Sequence, residues 1–135
     1  MHTILLPTIR AAIALHNNYA GKAAELLRSM PYELGHTPGS LPNLYSLYLR
    51  GLAYMQAGQN REAAADFQKI IDHPGVVYYF VIGPLSRLQL ARAQAMMGDK
   101  TAARKSYQDF LTLWKDADPE IPIYKQAKAE YARLQ

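Results

Sequence analysis

Four histidines, eleven carboxylates and no cysteine are the groups in this chain that could bind metal or activate a nucleophile. His2, His16, His36 and His73 share no i,i+4 pairing and have no carboxylate at ligand spacing, so no metal site is expected. His16 and His73 fall near expected helix ends, where an imidazole faces the negative end of the helix dipole. Asp116, Asp118 and Glu120 have the alternating spacing of a calcium loop but lack its central glycine and distal glutamate, and a helix boundary is the better reading. The glycines fall singly at turns instead of forming a phosphate-cradling run, and no serine stands in a nucleophile elbow. No catalytic residue and no cofactor are therefore expected, and the chemistry left to this chain is recognition.

The elements that must carry recognition follow from size and pattern. With 135 residues, half of them apolar and 19% charged, the chain has the composition of one folded domain, 1–135. The net charge of +4 is mild, and seven of the fifteen Lys and Arg lie from Lys100 onward. Arg87, Arg92, Lys100, Arg104 and Lys105 could form a basic patch beside abundant tyrosines, but a dense cationic stripe is missing, so nucleic acid is a disfavoured partner. Arg10 interrupts the apolar N-terminus and no basic segment precedes it, which argues against a secretory signal. The longest strongly apolar stretch, 76–82, is far below the roughly 20 residues that span a bilayer. No membrane association is expected. The lack of cysteine allows a reducing compartment, and a cytoplasmic location is expected.

Sliding the chain against itself gives one clear offset, 40 residues. Ala11, Gly51 and Ala91 coincide, as do Asn18, Gly58 and Gly98, then Ala23, Ala63 and Ala103, then Leu27, Phe67 and Tyr107, then Met30, Ile70 and Phe110. The second set marks places where a helix must stop sharply, which puts one residue at positive φ; glycine accepts this freely and asparagine better than most. The small residues let two antiparallel helices approach across that turn. The large apolar residues share one face of each second helix and fill the space between hairpins. The pattern predicts helices at about 3–17, 20–30, 43–57, 60–72, 84–97, 100–114 and 121–134, with Pro84 in a first helical position and Asn43 and Asp99 as caps. Connectors 31–42 and 73–83 hold the extra residues. Tyr124, Ala127, Tyr131 and Leu134 form an apolar stripe on a last helix whose other face is polar, as a helix closing a solenoid needs.

Residues 50–69 resemble a tetratricopeptide repeat, with Gly51, Tyr54, Gly58, Ala63 and Phe67 at that family's small–Tyr–Gly–Ala–Phe signature positions. Residues 90–110 match nearly as well, with Gln94 replacing the tyrosine, and residues 9–30 match weakly. The family's repeat is 34 residues, so the spacing of 40 is a departure. The resemblance implies an all-α fold, an α–α superhelix of three helical hairpins (about 4–42, 43–83 and 84–119) closed by a capping helix at about 121–134. Residues 98–119 and 125–131 are also similar in wording to the C-terminal tetratricopeptide region of bacterial eukaryotic-like serine/threonine protein kinases, and similar regions end some bacterial winged-helix regulators. The kinase motifs are not in this chain, so a docking or sensing region of a larger signalling protein is implied.

In that family the first helices of successive repeats line a concave face that receives a peptide or a partner's helix. The face maps here to Leu5, Thr8, Ala12 and Leu15, then Tyr45, Tyr48, Leu52 and Met55, then Leu85, Leu88, Arg92 and Ala95. With Arg92 as its single cation, this face suits an apolar segment of a protein or peptide better than a terminal carboxylate. Residues 76–82, seven apolar or aromatic side chains in a connector, are expected either to fold back onto the repeats or to serve a partner or a homo-oligomer.

Overall fold

The computed structural model describes residues 2–28, 44–74 and 81–135. Among these the chain is entirely helical and forms a helical-repeat superhelix: α1 (His2–His16), α2 (Ala20–Arg28), α3 (Leu44–Gln56), α4 (Asn60–Ile71), α5 (Ile82–Met96), α6 (Lys100–Leu113) and α7 (Pro122–Ala132). The helices pair as three hairpins, α1 with α2, α3 with α4 and α5 with α6, and α7 packs on α6. None of them is long and apolar enough to cross a membrane.

Each hairpin turns through the same bracket. Asn18, Gly58 and Gly98 adopt φ of 62°, 78° and 83°. In the second turn the Gly58 amide donates to the Met55 carbonyl at 3.0 Å and the Gln59 amide reaches back to Tyr54 at 2.8 Å. Asn18 and Tyr19 make the equivalent bonds to Leu15 and Ala14, and Gly98 and Asp99 to Ala95 and Gln94. Two of the orphan carbonyls at each helix end are satisfied this way, within a connection of three residues. Asp99 also caps α6, its Oδ1 accepting from the Ala102 amide at 3.0 Å.

The core is a row of three clusters, not a single centre. Ala11, Ala14, Ala23, Ala24 and Leu27 of the first hairpin pack with Leu49 and Ala53 of α3. Leu44, Leu47, Tyr48, Phe67 and Ile70 pack with Ile82, Leu90 and Ala93 of α5. Leu88, Ala91, Tyr107 and Phe110 pack with Tyr124 and Ala127 of α7. Each hairpin thus buries its apolar face against the next element in the chain, the arrangement that makes a solenoid stable only as a stack. A Cβ on Gly51 would lie 2.7 Å from Cε1 and Cζ of Phe67, so the ring of the second helix seats directly on the backbone of the first.

Helix α5 begins at Ile82, two residues ahead of the expected start, with the Leu85 amide donating to the Val81 carbonyl at 3.0 Å. Pro84 is tolerated there because the first-turn amides need no intrahelical acceptor. The connector 31–42, the Asn43 cap and residues 76–80 lie outside the described residues. Of the apolar segment 76–82, Val81 is exposed and Ile82 is buried in the cluster between the second and third hairpins.

Candidate functional site

The face assigned to recognition divides into three zones when its side chains are placed. The first is structural. Thr8 is buried, its hydroxyl 2.8 Å from that of Ser46 across the first and second hairpins. Tyr48 is buried with its ring edge-on to Phe67, centroids 5.7 Å apart. Burial pushes the Tyr48 phenol above its ordinary value, opposed by a hydrogen bond with Gln89 and by the Arg92 charge. Leu88 is fully buried in the third cluster. Tyr48 and Leu88 are therefore core side chains: Tyr48 packs in the second cluster with Phe67 and Ile70 of α4, and Leu88 lies on α5, which is enclosed by α3 and α4 on one side and α6 on the other.

The second zone is ionic and already occupied. Arg92 donates from Nε and Nη2 to the two carboxylate oxygens of Glu130 on α7, both at 2.9 Å. Tyr107 donates its hydroxyl to Glu130 Oε2 at 2.8 Å. Burial works to raise the Glu130 carboxyl, but the bonds from Arg92 and Tyr107 outweigh it and hold the group below the usual value. Burial likewise works to lower Arg92, and Glu130 overrides it. Tyr107 is raised, first by burial and then by its bond to the carboxylate. The single cation of the face thus ties the capping helix to the third hairpin and is not offered to a ligand.

The third zone is open. Leu15 and His16 of α1, Leu52, Met55 and Gln56 of α3, and Met96 of α5 line a depression of about 490 Å³ where the first helices of the three hairpins end. Leu15, Leu52 and Met55 are half-buried, and Met96 is 60% exposed. Gln56 is held at the rim, its Nε2 donating to Asn18 Oδ1 at 2.8 Å. Met, Leu and the aliphatic part of Gln make this shallow surface mainly apolar, with the His16 imidazole at its edge. Elsewhere on the face, Leu5 is 38% exposed on α1, and Ala12, Tyr45, Leu85 and Ala95 are half-buried. Tyr45 packs between the first and second clusters and Leu85 against the second.

His16, Gln56 and Met96 line the depression although the sequence reading gave none of them a place on the face. They occupy one equivalent position at the 40-residue offset, one step beyond Leu15, Met55 and Ala95, so the repeat itself carried the signal. A second ionic pair was also missed: Arg50 donates to both oxygens of Asp66, each at 2.7 Å, between the helices of the second hairpin. Asp66 is buried, and Arg50 lies 5.8 Å from the Tyr54 ring centroid.

Of the basic residues that could have met nucleic acid, Arg92 is bound by Glu130, Arg104 donates to the Leu134 carbonyl at 2.7 Å, and Lys105 pairs with Asp109 at 3.2 Å. Among the described residues no cluster of three or more His, Asp or Glu could hold a metal ion. The Asp118 carboxylate instead accepts from the Glu120 amide at 2.9 Å, in the turn before α7. The His73 Nδ1 donates to the Lys69 carbonyl at 2.7 Å, at the end of α4.

The family model described as Tetratricopeptide repeat matches residues 45–74 and 86–117, the spans of the second and third hairpins. No curated protein and no solved structure matches the chain.

Proposed function

From two tetratricopeptide repeats, units that mediate protein–protein interaction and are typically non-catalytic, we propose a docking module that holds an apolar side chain of a protein or peptide segment in the depression at Leu15, Leu52, Met55 and Met96. The carrying observation is that depression, because it is apolar, concave and built from all three hairpins. Met96, 60% exposed at the edge of the depression, is the side chain that such a partner would cover. Arg92 plays no part in the contact, since its guanidinium is committed to Glu130. The similarity of residues 98–119 and 125–131 to the repeat region of bacterial serine/threonine kinases supports placing such docking within a larger signalling protein.

An array of short peptides, each with one Leu, Met, Phe or Trp anchor in a polar background, tests this reading. Anchor-dependent binding should weaken by about tenfold or more in Met96→Glu, whose exposed position leaves folding intact, and stay unchanged in Gln126→Glu on α7. Absence of anchor-dependent binding, or binding indifferent to Met96→Glu, would refute the proposal.

A further inference from the structure

A second groove, sharing no lining residue with the depression at Met96, crosses α5 between α4 and α6 and holds about 340 Å³. It arises where the third hairpin departs from the second. At the 40-residue offset Arg50, Tyr54 and Asp66 become Leu90, Gln94 and Ser106. In the second hairpin Arg50 binds both oxygens of Asp66 and lies over the Tyr54 ring, which packs against the first and second clusters. The three replacements are shorter, and all of them line the groove. The third hairpin thus lacks an internal guanidinium, ring and carboxylate, and space stands in their place.

The lining has hydrogen-bond donors to spare. Ser106 donates its hydroxyl to Gln94 Oε1 at 2.7 Å, and the Gln94 amide nitrogen has no partner among the described residues. Arg87, at the position of the fully buried Leu47 one repeat earlier, is half-buried at the groove. Its guanidinium has neither a hydrogen bond nor an ion pair among the described residues. Lys105 and Asp109 on the α6 wall pair with each other at 3.2 Å and cancel. One uncompensated positive charge therefore remains, held partly out of water, where an anion recovers the lost solvation.

The charges and spacing also specify the anion. A single free guanidinium matches one negative charge, whereas a phosphate dianion would also face the Asp109 carboxylate. Leu90 and the half-buried Ile71 give an aliphatic stem an apolar floor. Arg87 and Gln94 are seven residues apart on α5, roughly 10 Å, which about three residues of extended chain span. Both are thus reached by a segment and not by an isolated carboxylate, which would gain little from one partly solvated pair.

We propose that this groove binds an acidic side chain of a protein or peptide segment laid along α5. The carboxylate pairs with Arg87, and a nearby main-chain carbonyl of the segment accepts from Gln94. The groove and the depression at Met96 are separate sites, so the two proposals stand or fall separately.

Fluorescence anisotropy of short labelled peptides tests this, each carrying one Glu in a varied uncharged background and matched with its Gln counterpart. Glutamate-dependent binding to the full chain is expected, weakened about tenfold or more by Arg87→Gln. Arg87 has no partner to lose, so helix content by circular dichroism should be unchanged. Gln94→Tyr supplies the side chain that fills the second hairpin while leaving the Arg87 charge in place. It should weaken binding by a similar factor, which general attraction to a basic chain would not do. Met96→Gln should leave binding unchanged. Absence of glutamate-dependent binding overturns the proposal, as does binding indifferent to Arg87→Gln or to Gln94→Tyr. Binding lost in Met96→Gln would place the peptide in the depression instead, and tighter binding of phosphoserine counterparts would make the ligand a phosphate; either result overturns it too.

Discussion

The contact of Gly51 with Phe67 can be tested inside the protein because the first repeat supplies its own control. A methyl group at position 51 would sit 2.7 Å from two ring carbons of Phe67 and 3.2 Å from a third, about 1 Å inside ordinary carbon–carbon contact. The ring has little room to withdraw: Phe67 is fully buried and is met edge-on by Tyr48. Overpacking of this size costs about 1–3 kcal/mol. Against it, replacing a mid-helix glycine by alanine gains about 1 kcal/mol of helix propensity. Gly51→Ala alone should therefore destabilise by about 0–2 kcal/mol. Phe67→Leu alone should cost roughly 1–2 kcal/mol for the buried carbons removed. The double variant recreates the Ala11–Leu27 pair of the first repeat, and there Gly51→Ala should recover its propensity gain. A double-mutant cycle by urea denaturation should then give a favourable coupling of at least about 1 kcal/mol. Gly51→Ala that stabilises the protein by about 1 kcal/mol in the presence of Phe67 would refute the reasoning, because the ring would then be yielding at no cost.

Two further substitutions probe the turns and the cap. Gly58→Ala and Gly98→Ala place a Cβ at φ of 78° and 83° and should each cost about 1–2 kcal/mol, whereas Asn18→Gly should be neutral or stabilising; thermal melts of the three decide it. Glu130→Gln leaves Arg92 half-buried without its carboxylate and should cost about 1–2 kcal/mol, at the low end for such pairs because Arg92 and Glu130 keep 20% and 28% of their surface in solvent. The lowered Glu130 group contributes stability that is full above the ordinary glutamate value of about 4.3 and is lost as pH falls through the lower folded value. That acid limb should be missing from stability–pH curves of Glu130→Gln.

The fold was legible because its determinants are local and recur. Asn18, Gly58 and Gly98 announce a positive φ by residue type, and the helices on either side of them end within a residue or two of where the apolar spacing places them. The site was less legible. Arg92 looks like a groove cation when only its own helix is considered; Glu130, its partner, lies 38 residues away on a helix of different spacing. Asp66 looks like an exposed residue of an amphipathic helix until Arg50 is found opposite it. Leu88 sits at a groove position by register, yet α5 has neighbours on both sides, and the burial that results depends on the whole stack.

The tie between Arg92, Tyr107 and Glu130 gives the last helix an attachment that apolar packing alone would not supply. In a solenoid, stability is a sum of units and their nearest-neighbour interfaces, so opening starts wherever a terminal unit has the least holding it. At the C-terminal end α7 is stapled by a carboxylate gripped from two sides, with Gln108 also donating to the Tyr131 hydroxyl at 2.7 Å. Helix α1, by contrast, is held by packing against Leu27, Leu49 and the alanines around them and by the contact of Thr8 with Ser46. Loss of the Glu130 carboxylate should therefore loosen α7 before it disturbs the hairpins.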